Sequence, residues 1–364
     1  MQLKNIIATT VFAGLALSAA AQVPAGYPGS YAAVVSAATK EAKVVIYSAT
    51  DTKAAAPLVQ DFEALYPGVK VEYHDMNTTE LYNRVISENA AGQNSGDVTW
   101  SSSMDLQIKL VNDGMAMDYK SPEIPHMPDW AVWKNEAYGT TYEPVVFAYN
   151  KRLLKPEEVP NSHKDIPKFL RDNAERFKGK VTSYDIEKSG VGFLLITQDS
   201  KTNAAFWDVA KAFGESGARY QSSTGTMMER ISSGENLLGY NILGGYALSR
   251  AKKDPGIGVI MPKDYTLVLS RIMFITKKAK NPNAAKLWLD YVLSKRGQTI
   301  LANQSGLGAI RQDVEGEMTI SSLTKLLGSA LKPIPVGTGL LAYLDQAKRL
   351  GFIKEWQNTA VSRK

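Results

Sequence analysis

The strongest hydrophobic pattern in the chain runs from Lys43 to Asp75. Val44, Val45, Ile46 and Tyr47 form an apolar run of β-branched and aromatic residues, which predicts a buried strand. A short polar stretch, Ser48 to Thr52, follows. Leu58, Val59, Phe62 and Leu65 then recur at helical spacing, leaving Gln60, Asp61 and Glu63 for water. Pro57 is read into the first helical turn, where its missing N–H costs no hydrogen bond. Pro67-Gly68 ends the helix, and Val69, Val71 and Tyr73 alternate as a second strand. Such a strand–loop–helix–strand unit builds a parallel sheet. Ligands bind outside the carboxyl ends of parallel strands, so Ser48, Thr50 and Asp51 are candidate ligand contacts.

The alternation continues down the chain. Leu81, Val85 and Ile86 predict a helix over 79–91, and residues 96–100 a third strand. Ser101, Ser102 and Ser103 then precede a helix through Leu106, Ile108, Leu110 and Val111. Hydroxyls ahead of a helix N-terminus make a seat for an anion, and they equally make a plain N-cap. Residues 138–150 alternate and then run apolar. A helix is predicted over 166–176, and a strand over 181–186 that holds Asp185. Ser189, Gly190, Val191 and Gly192 then feed an apolar helix, either as a second anion seat or as a simple turn. Residues 237–250 read as a strand turning into a helix, with Tyr240 and Asn241 in the strand. Residues 265–276 are a strand, 281–301 a helix, and 340–350 a last helix.

Composition narrows the picture. An apolar run over 6–17 followed by Ser18-Ala19-Ala20-Ala21 predicts an export signal over residues 1–21, too short to span a bilayer. With no cysteine, the chain has neither disulfides nor thiolate metal ligands. The roughly 340 residues that remain exceed one comfortable core and fit two domains. The formal charge of +6 is spread rather than clustered, which favours small anions over nucleic acid.

Five stretches, in this order, resemble one family: VVIYSATDTKAAAPLVQDFEALYPGVKVEY, GDVTWSSS, EPVVFAYNKRLL, ITKKAKNPNAAKLWLDYVLSKRGQTIL and LGAIRQDV. They are similar to the family-1 extracellular solute-binding proteins, periplasmic receptors of ABC importers that include ferric-iron binders. The resemblance implies an α/β, two-lobed type II periplasmic-binding fold, each lobe a mixed sheet flanked by helices. Residues 22–141 with 271–317 are expected to form one lobe, and 142–270 with 318–364 the other. Hinge strands near 141–149 and 267–273 would cross the cleft. A membrane permease is the implied protein partner, and a periplasmic monomer the implied state.

Catalytic constellations are missing from the sequence. His74, His126 and His163 lack metal-pair spacing, and no GxSxG elbow or Walker loop occurs. Ser322–Lys325 matches SxxK without its companion motifs, which leaves a periplasmic hydrolase as a remote alternative. No metal or cofactor is expected. Ferric-iron members use an acid or histidine after the first strand, a glutamate after the third and two adjacent tyrosines. Asp51 stands at the first of these positions, but Ser102 is near the second, and Tyr240 and Tyr246 are six apart. The resemblance therefore points to a small organic anion, phosphate- or phosphonate-bearing, with ferric iron as the alternative ligand. Arg271 is a candidate bidentate clamp or a solvent-facing arginine. Glu143, Asp185 and Asp51 are candidate acceptors for a ligand hydroxyl or amine.

Overall fold

The computed structural model describes residues 23–93 and 96–361. The stretch read as an export signal lies outside them. Along the chain the strands are β1 (Lys43–Ser48), β2 (Lys70–Asp75), β3 (Val98–Ser101), β4 (Val132–Trp133) and β5 (Ala137–Gly139). There follow β6 (Glu143–Asn150), β7 (Val181–Tyr184), β8 (Arg219–Gln221), β9 (Leu238–Leu243), β10 (Ile257–Ile260), β11 (Thr266–Leu269), β12 (Ile272–Ile275) and β13 (Leu331–Pro333). They form two mixed sheets flanked by helices. The first has the order β2-β1-β3-β12-β5-β4; the second has β13-β11-β6-β9-β7-β8, with β10 also paired to β6.

The sheets do not follow one another in sequence. The chain leaves the first sheet through residues 140–142 and returns through 270–271. It then enters the second sheet again at β13, which pairs parallel with β11. Each sheet therefore holds strands from distant parts of the chain, and the first two links between sheets are only two or three residues long, while the third runs over residues 276–330.

Apolar faces dictated by the sequence cover the sheets. Phe62 of helix Thr52–Leu65 and Trp288 of helix Pro282–Leu293 are fully buried and meet edge to face at 5.1 Å. On the second sheet, Phe206 packs with Trp356 and Phe352. A third cluster joins the two sides: Val45, Met104 and Leu110 meet Val145, Leu195, Met227 and Leu340.

Four local expectations are corrected. Helix Thr52–Leu65 starts five residues before Pro57, so the proline sits inside it. Burial of Ala55, Leu58 and Phe62 outweighs the lost hydrogen bond. The helix expected over 166–176 breaks at Asn173. The one expected over 281–301 breaks at Ser294, whose hydroxyl caps the next helix by accepting from Gly297 N at 3.2 Å. The last helix is Gln346–Thr359 rather than 340–350, because Asp345 caps it by accepting from Lys348 N at 3.0 Å.

Gly308 props the first crossing. Its φ is +81°, and a Cβ there would lie 2.4 Å from the Tyr142 carbonyl oxygen. Gly308→Ala is expected to destabilise the protein by about 2 kcal/mol or more, from the left-handed backbone and the forced shift together. Gly29→Ala, with open space around it, should stay within about 0.5 kcal/mol. Urea unfolding of both variants checks this.

Candidate functional site

Strand register decides which residues meet. Ser48 pairs with Trp100, Ser101 with Ile272, and Ile272 with Gly139. This brings residues 48–51, 101–103, 139–141 and 270–271 to one edge of the first sheet. The second sheet presents Glu143 beside Leu269, and Val145 beside Leu243, at its own edge. The two edges are joined by the crossings and face each other.

Arg271 sits between them and is fully buried, which excludes the solvent-facing alternative. Its Nε donates to Glu143 Oε1 at 2.8 Å and its Nη2 to Glu143 Oε2 at 3.1 Å, a bidentate pair. Nη1 donates to the Ala49 carbonyl at 3.1 Å and to Thr50 Oγ1 at 3.0 Å. Burial opposes the guanidinium charge, and the Glu143 carboxylate outweighs it, so the pKa rises above the ordinary arginine value. Four of the five N–H donors are engaged, and one on Nη2 has no partner among the described residues. The clamp expected of Arg271 thus closes on Glu143. Glu143, which also accepts from Thr141 Oγ1 at 2.7 Å, is committed to the crossings rather than left as a ligand acceptor.

The hydroxyls divide into two groups. Ser48 donates to the Trp100 carbonyl and accepts from Thr50 N, both at 3.0 Å, so it fastens the loop after β1. Ser103 donates to Asp105 Oδ1 at 2.9 Å. Ser101 only accepts, from Ser103 N, and Thr50 only accepts, from Arg271, so both keep a hydroxyl hydrogen. The Ser102 hydroxyl has no partner among the described residues.

Both helix N-termini are already engaged. In helix Met104–Asn112, Leu106 N donates to the Asp105 carboxylate at 2.9 Å. Burial pushes the Asp105 pKa up to about 6, against the hydrogen bonds from Ser103 and Leu106. In helix Gly190–Thr202, Gly192 N donates to the Ser189 hydroxyl, while Gly190 N and Val191 N donate to Thr78 Oγ1. Asp185 Oδ1 accepts from Glu187 N and Lys188 N, which commits it to its own turn.

Tyr240 and Asn241 lie elsewhere, in the core of the second sheet. Both donate to Asp199 Oδ2, at 2.9 and 2.6 Å, and Tyr265 donates to Asp199 Oδ1. Asn241 has a left-handed φ of +59° and the pairing with β6 shifts register there, so two consecutive side chains reach the same carboxylate.

Tyrosines not taken as ligand contacts from the sequence stand at the edges instead. Asp51 N donates to the Tyr246 hydroxyl at 3.3 Å, and the Tyr246 ring lies 5.3 Å from the Arg271 guanidinium carbon. Tyr184, hydrogen-bonded to Thr224, is near enough to Tyr246, Arg271 and Glu143 to feel their charges. The signal available in the sequence was Gly244-Gly245, since a Cβ at Gly244 would lie 2.4 Å from the Pro144 carbonyl. Such a strand-to-helix turn holds the following tyrosine against the crossing.

A separate cavity of about 560 Å³ lies under the N-terminal segment, lined by Tyr27, Tyr31, Tyr66, Asp290 and Arg311 among others. Asp290 there accepts from Tyr31, Tyr119 and Ser121, and Arg311 pairs with Glu123 and Asp313. Its buried charges thus hold the chain together, away from the crossings. Among the described residues, no three His, Asp or Glu side chains converge as a metal-ligand set.

Comparison with known proteins places this geometry. The profile of a family described as bacterial extracellular solute-binding protein matches residues 57–326. The substrate binding protein of an ABC transporter from Agrobacterium tumefaciens is 40% identical, over 87% of this chain and 94% of that one, with a TM-score of 0.84. The periplasmic binding protein AfuA from Actinobacillus pleuropneumoniae, solved with fructose-6-phosphate bound, is 21% identical over 87% and 98%, with a TM-score of 0.73. Iron-bound HitA from Pseudomonas aeruginosa is 16% identical over 88% and 99%, with a TM-score of 0.68. The last two share the fold.

Removing one partner of a buried ion pair strands the other. Arg271→Met is expected to cost about 3–5 kcal/mol, and Arg271→Met with Glu143→Leu to recover most of that, read by urea unfolding. Asp105 supplies a pH test. Its folded pKa is raised above the unfolded value, so its contribution is intact below about pH 4 and is lost as pH rises through about 6. Asp105→Asn should therefore gain on the parent by on the order of 2–3 kcal/mol between pH 4 and 7.

Proposed function

The chain belongs to the bacterial extracellular solute-binding protein family, the binding proteins of ABC transporters, and within that family we propose that it captures a small organic anion bearing phosphate or phosphonate. Residues 22–141 with 271–317 act as one lobe and 142–270 with 318–364 as the other. The ligand sits between the facing sheet edges, and the lobes close on it by bending at 140–142 and 270–271. Closure follows because ligand groups are satisfied by both edges at once only when these are together. The closed form is then read by a membrane permease. The protein works in the periplasm as a monomeric receptor and not as an enzyme, its export directed by residues 1–21.

One observation carries the ligand class: a fully buried guanidinium with an unengaged N–H, surrounded by hydroxyls that keep a hydrogen to give. Thr50, Ser101 and Ser102 come from the first sheet's edge, and Tyr246, whose hydroxyl accepts from Asp51 N, from the second. Such a donor-rich setting suits tetrahedral oxyanions, which only accept. Resemblance to AfuA, a protein solved with a sugar phosphate, favours the same class. Ferric iron would want several anionic oxygen ligands, whereas Glu143 is engaged by Arg271 and Asp185 by its own turn, which leaves Asp51, beside Tyr246, as the remaining candidate acid.

A thermal-shift panel of sugar phosphates, aminophosphonates, carboxylates, polyamines and ferric citrate tests this. A ligand at a hundred times its dissociation constant adds about 2.7 kcal/mol, which raises the melting temperature by several degrees. Phosphorylated compounds are expected to respond. Ser102→Ala and Tyr246→Phe should each weaken that response about tenfold in affinity, by removing a hydrogen bond to a charged group. Ferric binding with a phenolate charge-transfer colour, and no response to any phosphorylated compound, would overturn the reading.

A further inference from the structure

Thr78 opens helix Thr78–Ala90 on the side of the first sheet, and its side chain is buried. The preceding Asn77 caps that helix by accepting from Glu80 N at 2.8 Å, which fixes where Thr78 stands. Its Oγ1 accepts from Gly190 N at 3.1 Å and from Val191 N at 3.4 Å, both on the side of the second sheet. Beside it, Thr79 Oγ1 donates to the Lys188 carbonyl at 3.2 Å.

The helix Gly190–Thr202 has N–H groups in its first turn that no residue of the same helix can satisfy, and they carry its positive end. Ser189 takes the one on Gly192. Thr78 takes the other two with a single oxygen. The fit is close on every side, for a Cβ at Gly190 would lie 2.8 Å from Ser103 Oγ, 2.8 Å from Leu106 Cδ1 and 3.1 Å from Thr78 Oγ1. Only glycine lets the two sides approach this far.

We propose that Thr78 is a positioning residue for ligand capture: a latch that draws the lobes together by occupying the helix N-terminus of the opposite lobe. It rests on the hinge-closure reading above. The donors and the acceptor belong to opposite lobes, so these bonds exist only when the cleft is shut. Two bonds of ordinary net strength favour the shut form about fivefold to a hundredfold. The shut form is then already populated before a ligand arrives, and the ligand need not itself supply that part of the closure energy. The N-terminus of helix Gly190–Thr202 thus serves the chain's own hydroxyl, and ligand recognition falls to the cluster around Arg271.

Because the chain has no cysteine, two labels can be placed cleanly. Asn112→Cys on one side and Lys211→Cys on the other are both exposed positions for spin labels. With no small molecule added, the parent is expected to show mainly one short inter-label distance. Thr78→Val, equal in shape but without the oxygen, should move most of the population to longer distances, and Thr78→Ser should restore it. Gly190→Ala reaches the same result from the other lobe, and alanine favours the helix, so loss of folding does not confuse the reading. Distances in Thr78→Val identical to the parent, or Thr78→Ser as open as Thr78→Val, overturn the latch. If Thr78→Val leaves the distances unchanged while fructose-6-phosphate or 2-aminoethylphosphonate shortens them, the latch fails and hinge closure stands. If neither the substitutions nor those two compounds move the distance, latch and hinge closure fail together.

Discussion

The buried pair of Arg271 and Glu143 is the constraint on which the rest of the structure depends. The two residues lie at opposite crossings, one where the chain returns to the first sheet and one where it enters the second. Their bidentate contact fixes the crossings against each other, and both Nη1 donors reach the loop after β1. A charge taken out of water needs a partner and hydrogen bonds to most of its donors, and here both come from residues distant in sequence.

Around that point the chemistry is one of donors. Helix termini, the usual home of bound anions, are engaged here by Asp105, Ser189 and Thr78. What faces the crossing is a guanidinium, phenols and short hydroxyls. In the proposed complex a phosphate or phosphonate group would accept from these donors, and a partly dry cleft would strengthen each contact. Selectivity would then rest on how many donors converge rather than on net charge.

Much of the fold was legible because it follows from periodicity. The apolar run at Val44–Tyr47 and the alternation at Val69–Tyr73 gave two strands in register, and the hydroxyls at Ser101–Ser103 do lie at a strand end. Helix ends were less legible: Asp345 and Ser294 cap helices that apolar spacing alone had extended or displaced. Pro57 misled for a related reason, since burial of one helix face outweighed a local penalty. The site was the least legible. That Glu143 meets Arg271 and that Tyr246 covers the guanidinium depends on tertiary pairing between residues far apart in sequence. The sequence marks Tyr240 and Asn241 as ligand contacts and not Tyr246, but an irregularity in β9 turns both of the former to Asp199.

The most direct measurement is hydrogen exchange, read by mass spectrometry, of the full mature chain with and without the compound that raises its melting temperature most. A ligand gripped between both sheets should slow exchange together at 48–51, 101–103, 139–143, 184–192, 244–246 and 269–272. Protection confined to one sheet, or centred on the tyrosine-lined cavity at 23–31 and 290–296, would contradict capture between the lobes.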